Sequence, residues 1–146
     1  MKIRPFRRGD ARDFLRLVAE LARYEKLKPP TPAAGRRMVR DIGRRIDVLL
    51  AVEAGEAVGY AIYFFTYSSF LARPTLYLED VFVLESQRGK GAGKAFFASL
   101  RRIAKKARCG RMEWTVLNWN TPAIKFYDAQ GARPLKEWTT YRLAPV

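Results

Sequence analysis

The chain has 146 residues, with 28 Lys+Arg, 14 Asp+Glu, one Cys and no His, for a formal charge of +14. That length suits one domain with a real core, and 49% hydrophobic content excludes a disordered polycation. Without histidine there is no Ser-His-Asp triad, no Cys-His pair and no His-based metal site. A lone Cys109 leaves no intrachain disulfide, and nowhere do eighteen apolar residues stand together. The segment after Met1 has no apolar run of signal-peptide kind, so the expectation is a soluble cytoplasmic protein. The charge is uneven: residues 1–50 sum to +8, 51–86 to −4, 87–110 to +8 and 111–146 to +2. A basic protein thus holds an acidic middle.

In chain order, residues 2–6 suit a short edge strand, where Pro5 is tolerated. Asp10 reads as the N-cap of a helix, with Phe14, Leu15, Val18, Leu21 and Ala22 at helical spacing to about Lys26. Pro29 and Pro30 stop it. Thr31-Pro32 caps a second, basic helix running to about Arg45, weakened by Gly35 and Gly43. Strands follow over 47–53, 57–68 and 75–84, the first two joined by an Ala54-Gly55-Glu56 turn, as an antiparallel meander. A helix over 91–107 leads to a strand over 112–117. Thr121-Pro122 caps a helix ending at Gly131, and 138–143 reads as a closing strand. Strands 75–84 and 112–117 bracket a helix of crossover length, which predicts a parallel pair. The fold class is therefore mixed α/β, a mostly antiparallel sheet with one parallel pair and flanking helices. Nothing separates two domains, so residues 1–146 read as one.

Gln87-Arg88-Gly89-Lys90-Gly91-Ala92-Gly93-Lys94 joins a strand to a helix. Alternate glycines let backbone N–H groups point inward, and the helix adds its partial positive end. With Arg88, Lys90 and Lys94 this makes an anion cradle suited to a pyrophosphate. Its spacing is neither that of a Walker loop nor the dinucleotide G-x-G-x-x-G. A glycine turn with solvated lysines is the plainer alternative.

These residues resemble the GCN5-related N-acetyltransferase superfamily. Arg88-Gly89-Lys90-Gly91-Ala92-Gly93 fits its pyrophosphate motif, 76–83 resembles its central strand, and 118–127 with Gly131-Ala132 resembles its Asn…Phe-Tyr…Gly segment. Residues 21–25, 63–67, 77–80 and 137–138 resemble the diamine branch, which includes spermidine/spermine and thialysine acetyltransferases. The resemblance implies acetyl-CoA as cosubstrate, with no metal. Val81, Phe82 and Val83 would line the coenzyme arm, and Arg88, Gly89, Lys90, Gly91, Ala92, Gly93 and Lys94 would hold its pyrophosphate. Asn120 and Tyr127 would complete the coenzyme contacts. Glu79 is implied as the base, directly or through water, and Tyr127 as the acid at the departing thiolate. Tyr24, Glu25, Glu79, Asp80, Glu137 and Trp138 would bind a small amine. Phe70 stands where the branch often has a bulky aromatic. The family also implies a homodimer.

A carboxylate base suits a chain without histidine, because a primary ammonium titrates near 10 and must lose a proton before attack. Each site residue has a structural alternative. Glu79 could be a strand-end ion pair, Val81 and Val83 core strand, Tyr127 a packed helix-end ring, and Glu25 or Glu137 plain surface charge. The +14 charge disfavours a highly charged polyamine against a short diamine or an amino-acid amine. Two other functions stay open. One is acetylation of a protein lysine or N-terminus. The other is nucleic-acid binding through Arg7, Arg8, Arg12, Arg16, Arg36, Arg37, Arg40, Arg44 and Arg45. No nucleic-acid motif accompanies those arginines, and a solvated face explains them. No membrane partner is expected.

Overall fold

Five strands are built in the order they occur: β1 (Lys2–Pro5), β2 (Asp47–Glu53), β3 (Glu56–Ser68), β4 (Arg73–Val83) and β5 (Arg111–Glu113). The computed structural model describes residues 1–146. Strands β1 to β4 pair antiparallel as a meander, and β5 joins β4 in parallel. This is the mixed sheet the sequence predicts. The β2–β3 hairpin turns at Ala54-Gly55, where both residues take left-handed backbone, φ 50° and 81°. That geometry matches the twist of the flanking strands.

Helix α1 (Ala11–Tyr24) and helix α2 (Pro32–Asp41) follow β1, and α3 (Ala92–Lys106) crosses from β4 to β5. Phe14, Leu17 and Val18 of α1 pack with Val48, Leu50, Tyr60, Ile62 and Phe82 in one buried core. The Phe14 ring meets Tyr60 edge-on at 5.4 Å. Side chains alternate across a strand, so Gly59, next to Tyr60, faces the other way. A Cβ there would stand 3.3 Å from Phe96 of α3. Helices α1 and α3 therefore cover opposite faces. Phe96, Phe97, Leu100 and Ala104 are the buried stripe of α3.

Several local expectations are corrected. Asp10 does not cap α1 with its side chain. It forms a two-bond ion pair with Arg4, at 2.8 and 2.9 Å, and accepts from the Arg7 N–H at 2.6 Å. A guanidinium and a backbone N–H outcompete the helix's first turn for one carboxylate. Thr31 does cap α2, accepting from the Ala34 N–H at 3.1 Å. That helix stops at Asp41 rather than Arg45. The Asp41 carbonyl takes the N–H groups of Arg44, Arg45 and Ile46, and Gly43 turns the chain at φ 83°. The parallel strand is three residues long, not six.

Met1–Trp114 form one unit and Thr115–Val146 a second. The second contains α4 (Thr121–Ala129). Its N-cap is Asn120, whose Oδ1 accepts from the Ala123 N–H, so the predicted cap at Thr121 shifts by one residue. Gly131 ends it at φ 86°, as the sequence predicts. Residues 138–143 form no strand, and Trp138, Tyr141 and Leu143 are solvent-exposed. Strand propensity reflects a fit to neighbouring strands, and here no strand pairs with the segment.

Candidate active site

The parallel pairing of β4 with β5 covers only Thr75, Leu76 and Tyr77. From Leu78 to Val83, β4 keeps β3 on one side and has no strand on the other. The Leu84 N–H donates to Val58 O on the β3 side. Backbone direction alternates along a strand, so the N–H and C=O groups of Val81 and Val83 point to the open side. Phe82 is buried, and its carbonyl lies on the β3 side, 2.7 Å from where a Gly59 Cβ would be. The strand edge at Val81 and Val83, where the resemblance places the coenzyme arm, is therefore unpaired, while the Phe82 side chain packs in the core.

Two residues before Val81 the strand bulges. Ile62 pairs with Asp80 and Tyr63 with Leu78, which leaves Glu79 as the extra residue. A bulge re-aims a side chain, and Glu79 is exposed. Asp80 points to the α1 face, where its Oδ2 accepts from the Tyr60 hydroxyl at 3.0 Å. Burial pushes the Asp80 carboxyl up to about 6; the Tyr60 bond opposes this, and the charges of Glu79 and Glu25 add to it. Burial also raises Glu25, with Glu79 contributing. Tyr60 is raised well above its ordinary range by burial, then by Asp80, Glu25 and Glu79. Glu25 follows directly on α1, so the helix end and the bulge bring three carboxylates within electrostatic reach. Glu25 thus joins Glu79 and Asp80 rather than lying on plain surface.

The loop after β4 passes through a short 3₁₀ turn, Glu85–Gln87, into the glycines. Gly89 and Gly91 both take left-handed backbone, φ 77° and 87°, and a Cβ on either would meet nothing within 4 Å. The turn is open to solvent, and Gly91 is the N-cap of α3 with no side chain over the helix's first N–H groups. This fits a polyanion held by backbone N–H groups. Ala92 is buried as the first helical residue, Gly93 is half-buried, and Lys94 is exposed in the first turn. Lys90 Nζ donates to Gln87 Oε1 at 3.2 Å. Arg88 does not extend into the turn: its Nε donates to Val83 O at 3.0 Å, and its guanidinium lies over the Tyr24 ring at 5.0 Å.

The remaining expected residues lie in the second unit. Asn120 is buried and caps α4, so its first role is structural. Tyr127 sits on α4 beside Phe126, ring centroids 5.9 Å apart. Its carbonyl accepts from the Ala132 N–H at 3.2 Å, within the Gly131 turn. Glu137 and Trp138 are exposed in irregular chain, not at the start of a strand. Phe70 is 99% exposed at the tip of the β3–β4 hairpin in the first unit, so it walls no pocket there. Sequence reasoning missed Tyr60. The signal was present: a tyrosine in an apolar strand must find a partner for its hydroxyl once buried.

The first unit thus brings together a mixed sheet with one parallel pair, an open edge on β4, a glycine turn at the start of α3, and Glu79 and Asp80 on that same β4 strand. The chain belongs to the acetyltransferase (GNAT) family, whose model matches residues 14–132, and it is an acetyltransferase enzyme. It is 32% identical to a thialysine N-epsilon-acetyltransferase of Bos taurus, covering 96% of this chain and 90% of that protein. A match to an L-ornithine N5-acetyltransferase of Arabidopsis thaliana is 44% identical over 85 residues, 58% of this chain and 37% of that enzyme. Among solved structures, an integron cassette protein of V. cholerae superposes with a TM-score of 0.81 at 27% identity, covering 98% of this chain and 91% of that one. A probable acetyltransferase superposes with a TM-score of 0.87 at 17% identity over 100% and 99%, which shows the shared fold.

Proposed function

We propose that this enzyme transfers an acetyl group from acetyl-CoA directly to a primary amine of a small diamine, polyamine or thialysine-like amino acid. The observation that carries this is the acidic face formed by Glu25, Glu79 and Asp80 next to the open edge of β4. On a chain of charge +14, three carboxylates kept together need a cation to meet. Relatives named for thialysine and ornithine acetylation support an amino-acid side-chain amine. The charge favours a short amine over a long polyamine.

Acetyl-CoA supplies an activated thioester when bound. The Val81 and Val83 backbone groups hold the arm, and the N–H groups around Gly89, Gly91 and Gly93 take the pyrophosphate with Lys90 and Lys94 beside them. The Val81 N–H also serves the developing oxyanion. Glu79, set out from the strand by the bulge, accepts the amine proton directly or through water. Asp80 and Glu25 attract the ammonium, and the Tyr24 face offers it a cation–π contact. Tyr127 returns a proton to the departing thiolate. Glu137 and Trp138 are assigned to the acceptor by the diamine resemblance alone. The same reading takes residues 1–146 as one domain, supported by a family match that runs across both units. It takes the protein to be a homodimer, as the family resemblance implies, and cytoplasmic, in keeping with a lone cysteine.

The test is an acetyl-CoA assay against diamines, polyamines, thialysine, lysine and acidic-surface peptides. Short diamines or thialysine should be acetylated fastest. Transfer to peptides alone would move the acceptor to protein amines, and no transfer to any amine overturns the reading.

A further inference from the structure

The loop sequence assigns Arg88 to the coenzyme, yet its guanidinium is engaged elsewhere. Nε donates to Val83 O at 3.0 Å, while Cζ stands 5.0 Å from the Tyr24 centroid and 5.8 Å from that of Phe82. One side chain therefore covers two surfaces the reaction needs. The first is the Val83 carbonyl on the open edge of β4. The second is a face of Tyr24, the residue before Glu25 in the acidic cluster. A cation already lies where a cationic acceptor would be held.

We infer, resting on the acetyltransferase reading above, that Arg88 gates the acceptor site: without coenzyme it covers Tyr24 and Val83 O, and a bound pyrophosphate draws it off both. The competition is uneven. In its present place the guanidinium has one carbonyl and two aromatic faces. A pyrophosphate offers paired, charge-assisted hydrogen bonds, which are the stronger kind and suit a planar fork. The turn between Arg88 and α3 consists of residues whose backbone leaves room for such an approach, with Gly89 and Gly91 open to solvent. An ammonium approaching Tyr24 meets like charge while Arg88 is in place. Once Arg88 has moved, the ammonium meets the ring and the carboxylates of Glu25, Glu79 and Asp80. Coenzyme binding therefore raises acceptor affinity, and linkage makes the effect reciprocal. This also answers how one strand edge can attract a polyanion and a cation in turn.

The experiment is calorimetric titration of putrescine into the wild-type protein and Arg88→Ala, each with and without saturating coenzyme A. In the wild type, coenzyme A should tighten putrescine roughly two- to fivefold, the size of an exposed cation–π contact. Arg88→Ala should bind putrescine without coenzyme about as well as the wild type does with it, and coenzyme A should add nothing further. Arg88→Gln, which keeps a donor for Val83 O but no charge, should follow Arg88→Ala. A role in loop packing alone would leave Arg88→Gln like the wild type. Arg88 is exposed, and thermal melts verify that both variants fold. Equal coupling in wild type and Arg88→Ala, or no coupling in a wild type that binds both ligands, overturns the gate alone. A wild type that binds no coenzyme A overturns the coenzyme reading and the gate with it, and one that binds coenzyme A but neither putrescine nor thialysine overturns the small-amine reading and the gate.

Discussion

The Tyr60 hydroxyl donates to Asp80 Oδ2 at 3.0 Å from a ring with no solvent exposure. The pair links the centre of the α1 core to the acidic face of β4. It also makes Asp80 a reporter, because burial holds its carboxyl at about 6 against an ordinary 3.8.

An acid raised on folding binds more protons in the native state than in the unfolded one over that window. The Asp80 contribution to native stability should then fall as pH rises from about 4 to about 6 and level off above. A shift of about two units corresponds to up to about 3 kcal/mol. Asp80→Asn should remove this dependence, so that its stability relative to wild type improves as pH rises. Urea unfolding at pH 4.5 and 7.5 measures it, and a wild-type-minus-variant difference that stays constant would exclude Asp80 as the titrating group. In turnover, the acceptor KM should fall as pH rises through about 6, when Asp80 gains the charge that attracts an ammonium.

Glu79 and Tyr127 separate by the same logic. Glu79→Gln removes a base, and general-base catalysis contributes on the order of a hundredfold or more. The loss should shrink as pH approaches 10, where the amine is neutral without help. Tyr127→Phe removes an acid, so its loss in kcat should stay constant from about pH 7 to about pH 9, the range over which that of Glu79→Gln already shrinks. Paired pH–rate profiles decide this. A Glu79→Gln profile parallel to that of wild type would mean that the proton leaves by another path.

What the sequence made legible were local instructions. Thr31-Pro32, the Ala54-Gly55 turn and Gly131 each act on their own few residues, and each appears where expected. The parallel β4–β5 pair was legible too, because a crossover helix forces it. Misreadings arose where partners outside the local pattern compete. Asp10 looks like a cap until Arg4, on β1, claims it. Residues 138–143 have strand composition, but composition supplies no neighbour. At the site, Glu79 and Asp80 were visible as adjacent charges. What set them apart was the bulge, a mismatch of register between β3 and β4 that no single stretch encodes. Tyr60 and the Arg88 guanidinium over Tyr24 were hidden for the same reason.

The Arg4–Asp10 pair should carry stability rather than chemistry. The Arg4 hydrogen bonds outweigh burial and hold the Asp10 carboxyl below its ordinary value, with the Arg7 N–H assisting. A depressed acid stabilises above its unfolded value near 3.8, and that contribution is lost as pH falls through the lower folded value. Asp10→Asn should cost about 1–2 kcal/mol at neutral pH for a charged, partly buried bond pair. The gap from wild type should narrow below pH 4. Denaturant midpoints at both pH values test this, and an Asp10→Asn midpoint equal to wild type at pH 7 would show the pair to be energetically idle.

Gly59 tests the packing that sets the coenzyme edge. It lies opposite Val83 in the β3–β4 ladder. An added Cβ would come within 2.7 Å of Phe82 O and 3.3 Å of both Phe96 Cε2 and the Val83 Cα. The first of these is backbone, so relief requires β4 to move rather than a side chain to swing. Overpacking of this kind costs about 1–3 kcal/mol. Because the strand that must shift carries Val81 and Val83, Gly59→Ala should lower the melting temperature and also raise the KM for acetyl-CoA. The acceptor KM should change less, since Tyr24 ends α1 and Glu25 follows it, leaving only Glu79 and Asp80 of the acceptor group on the strand that moves. A variant with lowered stability but unchanged coenzyme KM would show that the β4 edge absorbs the shift without passing it to the site.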